Sequence, residues 1–446
     1  MDRESNGVLK QNRLKMKRLI VLLAATFFSL AAFGQNTVFT ATSVAIGDTV
    51  ELRARSTVST TLEVDWGDGI RVPFQVDSAI SSLWGTISGA GQIKVYGDAE
   101  KLWVFSLYSA GLTEADVTAL TNVYCLGLGD NNLTSIDLSK NLEIGELTLS
   151  GNPMESVDVS MLEDLYFLAL SRMENMKQVD VSKNAKLEIL YVFNSPLESL
   201  DVSQNPELWD LQCSNCGLKS LDLSQNPKMI QLMCENNELQ ELDISACPEM
   251  VYLRCFNNYL TIGSLPLFHP IVSTSYLYAP QNPLPMEDTV GGLDLSAGYD
   301  CEGYITRYTW RTEEGRTLIN GIDYTMTDGI VNFLVPGLKV SGQMENDFFP
   351  DLTGEDACRT EFFITGIGDV ENEETVLQGT RVWAEGKTLR MESGTRVHVD
   401  ILDMQGRGLR RLEFAGKTEW EAPVGGLYVV RMESGKASVV HKVMVL

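Results

Sequence analysis

The strongest constraint on this chain is a period. Between about Leu102 and Leu265 it repeats apolar-x-x-Leu-x-Leu/Cys-x-x-Asn, then Leu-x-x-Leu-Asp-Leu/Val-Ser-x-Asn-Pro. The Leu-x-Leu pair falls at Leu126/Leu128, Leu147/Leu149, Leu168/Leu170, Leu190/Val192, Leu211/Cys213, Leu232/Cys234 and Leu253/Cys255, in steps of 21, 21, 22, 21, 21 and 21 residues. A weaker copy, Phe105/Leu107, stands 21 residues before the first. A unit this short cannot bury its own leucines, so the copies must stack. Strands stacked about 4.8 Å apart form a parallel sheet over a continuous core. Side chains alternate along a strand, so the paired leucines point inward and the residues between and beside them point out.

This pattern resembles the leucine-rich repeat. The substitution of Cys for Leu in 21-residue repeats is similar to that of certain internalin-family surface proteins. The expected fold is mostly β: a leucine-rich repeat solenoid of about eight turns, flanked by small β-sandwich domains.

Four ladders follow from the register. Cys213, Cys234 and Cys255 continue an inward column, and residues stacked in one column share a direction that suits disulfides poorly. They are expected to be buried thiols packed as small apolar groups. Asn131, Asn152, Asn237 and Asn258 form a second column, entered by Cys216 and broken by Met173 and Ser195. Buried amides there can donate to carbonyls where the strand bends away. A related column of Asn184, Asn205 and Asn226 admits Cys247. Pro206, Pro227 and Pro248 fix a turn. Asp137, Asp158, Asp180, Asp201, Asp222 and Asp243 each precede a Ser by two residues. Stacked about 5 Å apart, they repel by somewhat under 1 kcal/mol per neighbour in water. Backbone N–H bonds within each turn offset that cost; a calcium-binding rail is the alternative.

Residues 1–34 read as a signal peptide. Lys15, Lys17 and Arg18 precede an apolar run from Leu19 to Phe33, and Ala32-Phe33-Gly34 places small residues before Gln35. Met16 is an alternative start. The run is short for a membrane span, and no span is expected after cleavage. The net charge of −25 argues against nucleic acid as a partner.

The flanks read as β modules. Residues 35–100 contain Asp65-Trp66-Gly67-Asp68-Gly69, which resembles the strand-turn motif of PKD-like modules. They also give residues 101–265 a covered end. Residues 266–293 read as a cap or linker, with Tyr276-Leu277-Tyr278 as a last altered strand. Residues 294–367 are similar to Ig-like bacterial modules, with Tyr308 and Trp310 on one face. Cys301 and Cys358 near the ends of that module are candidates for a disulfide in an oxidising exported context. Residues 368–446 hold an acidic linker and a last β module. Its stretches Val399 to Arg407 and Gly426 to Arg431, with the terminal Lys442 to Leu446, resemble the C-terminal sorting domains of type IX secretion. On that resemblance Gly406, Gly426, Tyr428, Arg431 and Lys442 carry the motif. It implies export through a secretion machinery to the outer surface of a Gram-negative cell, or release from it. The usual Asn-Pro opening of such domains is replaced by Val382-Trp383-Ala384-Glu385-Gly386, so a related stalk domain is the alternative.

The three histidines, His269, His398 and His441, stand in a cap, a strand and the tail. No triad, zinc cluster or phosphate loop is spelled out. No enzyme activity, catalytic residue, cofactor or metal is expected. The expected working surface is the outward face of the repeat strands: Phe167, Tyr191, Phe193, Trp209, Tyr252, Arg254 and Phe256. Aromatic residues with a few charges are the usual composition of a protein-binding patch. The family resemblance implies adhesion or host interaction, by binding a protein or glycoprotein through the concave face. A glycan-binding component of a nutrient-uptake system and a structural surface spacer are the alternatives.

Overall fold

The computed structural model describes residues 36–268, 275–285, 289–290, 292–335, 337–366, 380–385, 387–403, 407–424, 426–434 and 437–445. The signal peptide and the acidic linker expected from the sequence lie outside them. The chain divides into two compact units, Met1–Cys234 with Ile244–Tyr252, and Glu235–Asp243 with Leu253–Leu446.

The first unit begins with two facing sheets. Asn36–Ser43, Thr60–Asp65, Arg71–Val76, Gln92–Gly97 and Leu112–Asp116 form an antiparallel sheet. Thr49–Ser56 pairs with Ser81–Thr86 on one side and Leu102–Leu107 on the other. Phe39 of one sheet meets Phe105 of the other at 4.8 Å between ring centroids. Leu102–Leu107 serves two partners: it is antiparallel to Thr49–Ser56 and parallel to Cys125–Gly127. The first repeat strand therefore exposes neither its edge nor its core leucines. Because Leu112–Asp116 returns to pair with Asn36–Ser43, this module and the repeats interlock past residue 100. The Asp65 turn is closed internally. Its Oδ1 accepts the N–H groups of Gly67 and Gly69, both at 2.9 Å.

The repeat strands are only three residues long. Cys125–Gly127, Glu146–Thr148, Phe167–Ala169, Ile189–Tyr191, Asp210–Gln212 and Gln231–Met233 run parallel in one register. Leu126, Leu147, Leu168, Leu190, Leu211 and Leu232 lie opposite one another and are buried. Each strand then leaves the sheet through a left-handed residue. Asp130, Arg172, Asn194 and Asn215 have φ of 55°, 56°, 56° and 56°, and Gly151 has 72°. Asn, Asp and Gly are the residues that tolerate that region best.

Where the backbone bends, side-chain amides take over its hydrogen bonding. Asn131 Nδ2 donates to the carbonyls of Leu107, Leu128 and Gly129, and its Oδ1 accepts the N–H groups of Ala110 and Leu112. Ser195 does not break this ladder. Its hydroxyl donates to Leu170 O at 3.2 Å and accepts Met173 N–H at 3.1 Å. Cys216 Sγ likewise faces Val192 O at 3.1 Å. In the second column, Asn205 Nδ2 donates to Val181 O and Asn184 O at 3.0 and 2.8 Å. Asn226 repeats this one turn on, and Cys247 takes the same place with weaker sulfur contacts.

The aspartate ladder closes turns. Oδ1 of Asp137, Asp158, Asp180, Asp201 and Asp222 accepts the N–H of the Ser two residues on, at 2.9 to 3.0 Å. These bonds to Ser hold all five carboxyls below the ordinary 3.8. Repulsion from Asp180 and Asp222 acts on Asp201 in the opposite sense and is the smaller effect.

In the second unit, Leu253–Arg254 pairs in parallel with Tyr276–Leu277. Gln281 extends the amide ladder there: it donates to Cys255 O at 3.0 Å and accepts Asn258 N–H at 3.1 Å. Two sheets follow. One holds Leu284–Pro285, Arg307–Thr312, Leu338–Glu345 and Cys358–Gly366; the other holds Gly292–Asp294, Tyr324–Thr327 and Ile330–Phe333. Trp310 joins them, with Phe333 at 5.2 Å and Phe362 at 6.0 Å. The last module is antiparallel: Arg381–Glu385, Thr388–Leu402, Gly408–Glu421, Gly426–Ser434 and Ala437–Val445. Its core includes Met391, Val399, Tyr428 and Val430.

The expected disulfide is not formed: Cys301 and Cys358 are both buried free thiols. The fold turns the two sulfurs toward different backbone carbonyls. Cys358 Sγ lies 3.8 Å from Leu260 O, and Cys301 Sγ lies 4.0 Å from Ile262 O. Burial pushes the Cys358 thiol up to about 12.

Three outcomes are expected. Asn205→Ala removes one of the two hydrogen bonds accepted by each of two buried carbonyls, Val181 O and Asn184 O, and should cost about 1–3 kcal/mol in denaturant unfolding, at about 0.5–1.5 kcal/mol per lost bond. Asn205→Cys, which copies the arrangement at Cys247, should cost less; equal stability of Asn205→Ala and the parent would contradict the ladder's role. A carboxyl held below its unfolded value adds stability that is present above that value and lost as pH falls through the folded one. The unfolding midpoint should therefore drop as pH falls below about 4. An Asp180→Asn, Asp201→Asn, Asp222→Asn triple variant keeps the acceptors and should drop less. In denaturant without reductant, a thiol reagent should count all eight cysteines as reactive. A shortfall of two, restored by reductant, would reinstate a disulfide.

Candidate functional site

The outward face of the repeat sheet is built by three columns. The first holds Trp103, inside the strand Leu102–Leu107, and then, just before each later strand, Tyr124, Gly145, Tyr166, Glu188, Trp209 and Ile230. Each N–H from Tyr124 on donates to the carbonyl of the residue one turn earlier. The second, at the first strand position, holds Glu146, Phe167, Ile189 and Asp210; the third holds Thr148, Ala169, Tyr191 and Gln212. The sequence-predicted residues Phe167, Tyr191, Phe193, Trp209 and Tyr252 of the first unit are all partly exposed. They do not share one column. Trp209 belongs to the first, Phe167 to the second, Tyr191 to the third, and Phe193 lies beyond the strand end.

Neighbouring columns meet. Phe167 and Tyr191 touch edge to face at 5.5 Å. Tyr191 donates to Asp210 Oδ2 at 2.7 Å, and Gln231 donates to Asp210 Oδ1 at 3.1 Å. Asp210 is buried yet accepts from both sides, which offsets its desolvation. Burial and the Asp210 bond push the Tyr191 phenol up to about 12, so Tyr191 remains a neutral donor at physiological pH.

The first column carries the densest cluster, and most of it lies outside the residues expected from the sequence. The rings of Trp103 and Tyr124 lie 5.6 Å apart, and those of Tyr124 and Tyr166 lie 6.1 Å apart with an interplanar angle of 27°. The second stack skips one turn because residue 145 is glycine. A Cβ on Gly145 would stand 2.3 Å from Tyr124 Cζ. Tyr166 donates to Glu146. Burial, then the charges of Glu146, Asp164 and Glu188, raise the Tyr124 phenol. An open groove of 750 Å³ beside these rings is lined by Tyr124, Glu143, Asp164, Tyr166, Ala185, Lys186, Glu188 and Glu207. The sequence signal for it is an aromatic residue shortly before the Leu-x-Leu pair in three turns, with glycine between two of them.

In the second unit, Arg254 and Phe256 are also partly exposed. Arg254 pairs with the buried Glu235 at 3.0 Å and lies 5.3 Å over the Phe256 ring. Truncating Arg254 would leave that carboxylate without its cation.

The five residues singled out in the last module stand differently. Tyr428 is buried, donates to Val424 O at 2.6 Å and meets Trp420 edge on at 5.4 Å. Arg431 pairs across the sheet with Asp400, and Glu433 is 3.7 Å from it. Gly426 and Lys442 lie in the paired last two strands. Gly406 lies outside the described residues. Among the described residues no group of three or more His, Cys, Asp or Glu could hold a metal ion. No helix among them is long and apolar enough to cross a membrane.

No protein-family model and no curated protein matches the sequence. Among solved structures the chain is similar to the functional domain of InlJ from Listeria monocytogenes, which includes a cysteine ladder: 20% identity, TM-score 0.35, covering 56% of this chain and 64% of that one. It is also similar to the internalin InlF from Listeria monocytogenes, at 15% identity and TM-score 0.24, covering 44% of this chain and 70% of that one. A third is the Listeria monocytogenes internalin-like protein lmo2027, at 14% identity and TM-score 0.31, covering 56% of this chain and 82% of that one. The chain spans a little under two thirds of the InlJ domain.

Proposed function

We propose that the chain is an exported surface protein that recognises a protein or glycoprotein through the outward face of its repeat sheet. The observation that carries this reading is the run of partly exposed aromatic rings over successive turns of the first unit, with Phe167 on Tyr191 and Tyr124 on Tyr166. A solvated spacer has no use for rings held half out of water. Large rings with few rotatable bonds are also the residues that dominate protein recognition. The face is pre-organised, since its polar anchor Asp210 is already bound from both sides, which lowers the cost of ordering it on binding. The last β module serves export and display in this reading, as the type IX resemblance implies, and the repeats then stand outside the cell.

The test is a binding screen of the purified protein against immobilised extracellular-matrix proteins, mucins and a glycan array. A Phe167→Ala, Phe193→Ala variant of equal thermal stability runs beside it. The expected result is capture of a protein or glycoprotein, weakened by about tenfold or more in the variant, as for a pair of central aromatic contacts. Capture of defined free oligosaccharides alone would move the protein to nutrient uptake. No capture by the folded protein would leave the spacer reading.

A further inference from the structure

The aromatic ladder of the first unit has two ends, and one already holds a cation. The Arg55 guanidinium lies over the Trp103 ring, 4.4 Å from its centroid. Arg55 is held there by its Nε, which donates to Ser78 O at 2.8 Å. Trp103, Tyr124 and Tyr166 then continue the stack. At the other end the groove opens beside Tyr166. A guanidinium or ammonium over a ring face is attracted by the ring quadrupole, most strongly where water is partly excluded.

The charges around that open end favour a cation. Lys186 pairs with Asp164, and Lys228 pairs with Glu207, so two of the lining carboxylates already have counterions. Glu143 and Glu188 line the same groove and are exposed, and their side-chain carboxylates have no hydrogen-bond or ion-pair partner among the described residues. They stand one on each side of Tyr166 along the repeat. The carboxylates alone would make only a solvated acidic edge. It is the ring stack between them, built by a glycine at position 145 and carrying an arginine at its far end, that makes a seat.

We propose that this groove receives an arginine or lysine side chain of a protein partner, stacked on the exposed part of the Tyr166–Tyr124 ladder and neutralised by Glu188 and Glu143. This rests on the recognition reading above and gives its partner a chemistry: a basic segment. Long-range attraction works in the same direction, because a chain of net charge −25 steers cationic segments toward itself.

The experiment uses the purified protein and a fluorescently labelled flexible peptide carrying two adjacent arginines, with a citrulline-substituted twin of the same shape and no charge. Anisotropy should report binding of the arginine peptide, weakening as salt rises, and at least about fivefold weaker binding of the citrulline twin. Glu143→Gln with Glu188→Gln should weaken the arginine peptide about tenfold and leave the citrulline peptide unchanged. Gly145→Ala pushes the Tyr124 ring off its stack without removing any polar group, and should weaken the arginine peptide while the melting temperature shows the protein folded. Equal binding of both peptides, no loss in the Gln variant, or binding only of neutral oligosaccharides would overturn the proposal. If neither peptide binds while a macromolecule is still captured through Phe167 and Phe193, this inference fails and the recognition reading stands.

Discussion

The structure depends on buried side-chain amides that hydrogen-bond the backbone where it stops being sheet. Strands of three residues supply too few ladder bonds to satisfy a chain that turns every 21 residues. The carbonyls at each bend face the core, where an unpaired polar group costs more than one made hydrogen bond returns. Asn131 meets three of them, and Asn205 gives a second donor to two that already accept a backbone N–H. The ladder tolerates Ser195 and Cys216 because the requirement is a donor near the carbonyl, not an amide as such. The left-handed residues beyond each strand have the same origin. They turn the backbone sharply enough to bring the next carbonyl within reach of the ladder.

That inner regularity frees the outer face. With leucines and amides fixing the register, residues at the strand positions can vary from turn to turn without changing the fold. The face of the first unit uses this freedom for rings and carboxylates. Its aromatic groups are held by specific neighbours: Tyr191 by Asp210, Tyr166 by Glu146, Trp103 by Arg55. A surface so held keeps its shape before a partner arrives. The aspartate turns behind it add a row of negative charge whose mutual repulsion is outweighed locally by N–H bonds. The result is an acidic body that displays aromatic rings.

The ends of the array meet the same requirement by other means. At the start, Leu102–Leu107 belongs to two sheets at once, which removes the edge that a free first strand would present. In the second unit, Gln281 supplies the amide after the Asn pattern has ceased, one methylene longer and reaching from a different backbone path. A wedge of aromatic residues, Tyr276 on Tyr278 and Tyr278 on Phe349, replaces leucines there. These devices have no period and so no signature in a repeat pattern.

The sequence by itself determined the solenoid. A period of 21 with paired inward leucines has one stable solution, stacked parallel strands, and it also marked the Asn and Asp columns. It pointed to aromatic residues on the outward face, because alternation along a strand is a local property. What only the tertiary structure decided were the relations between turns. Which column each ring occupies, that Tyr124 reaches across Gly145 to Tyr166, that Arg55 from an early strand covers Trp103, and that Cys301 and Cys358 address separate carbonyls all depend on distances between residues far apart in the chain. Periodicity states which residues stack in register; it does not state which way a long side chain leans once its neighbours one and two turns away are in place.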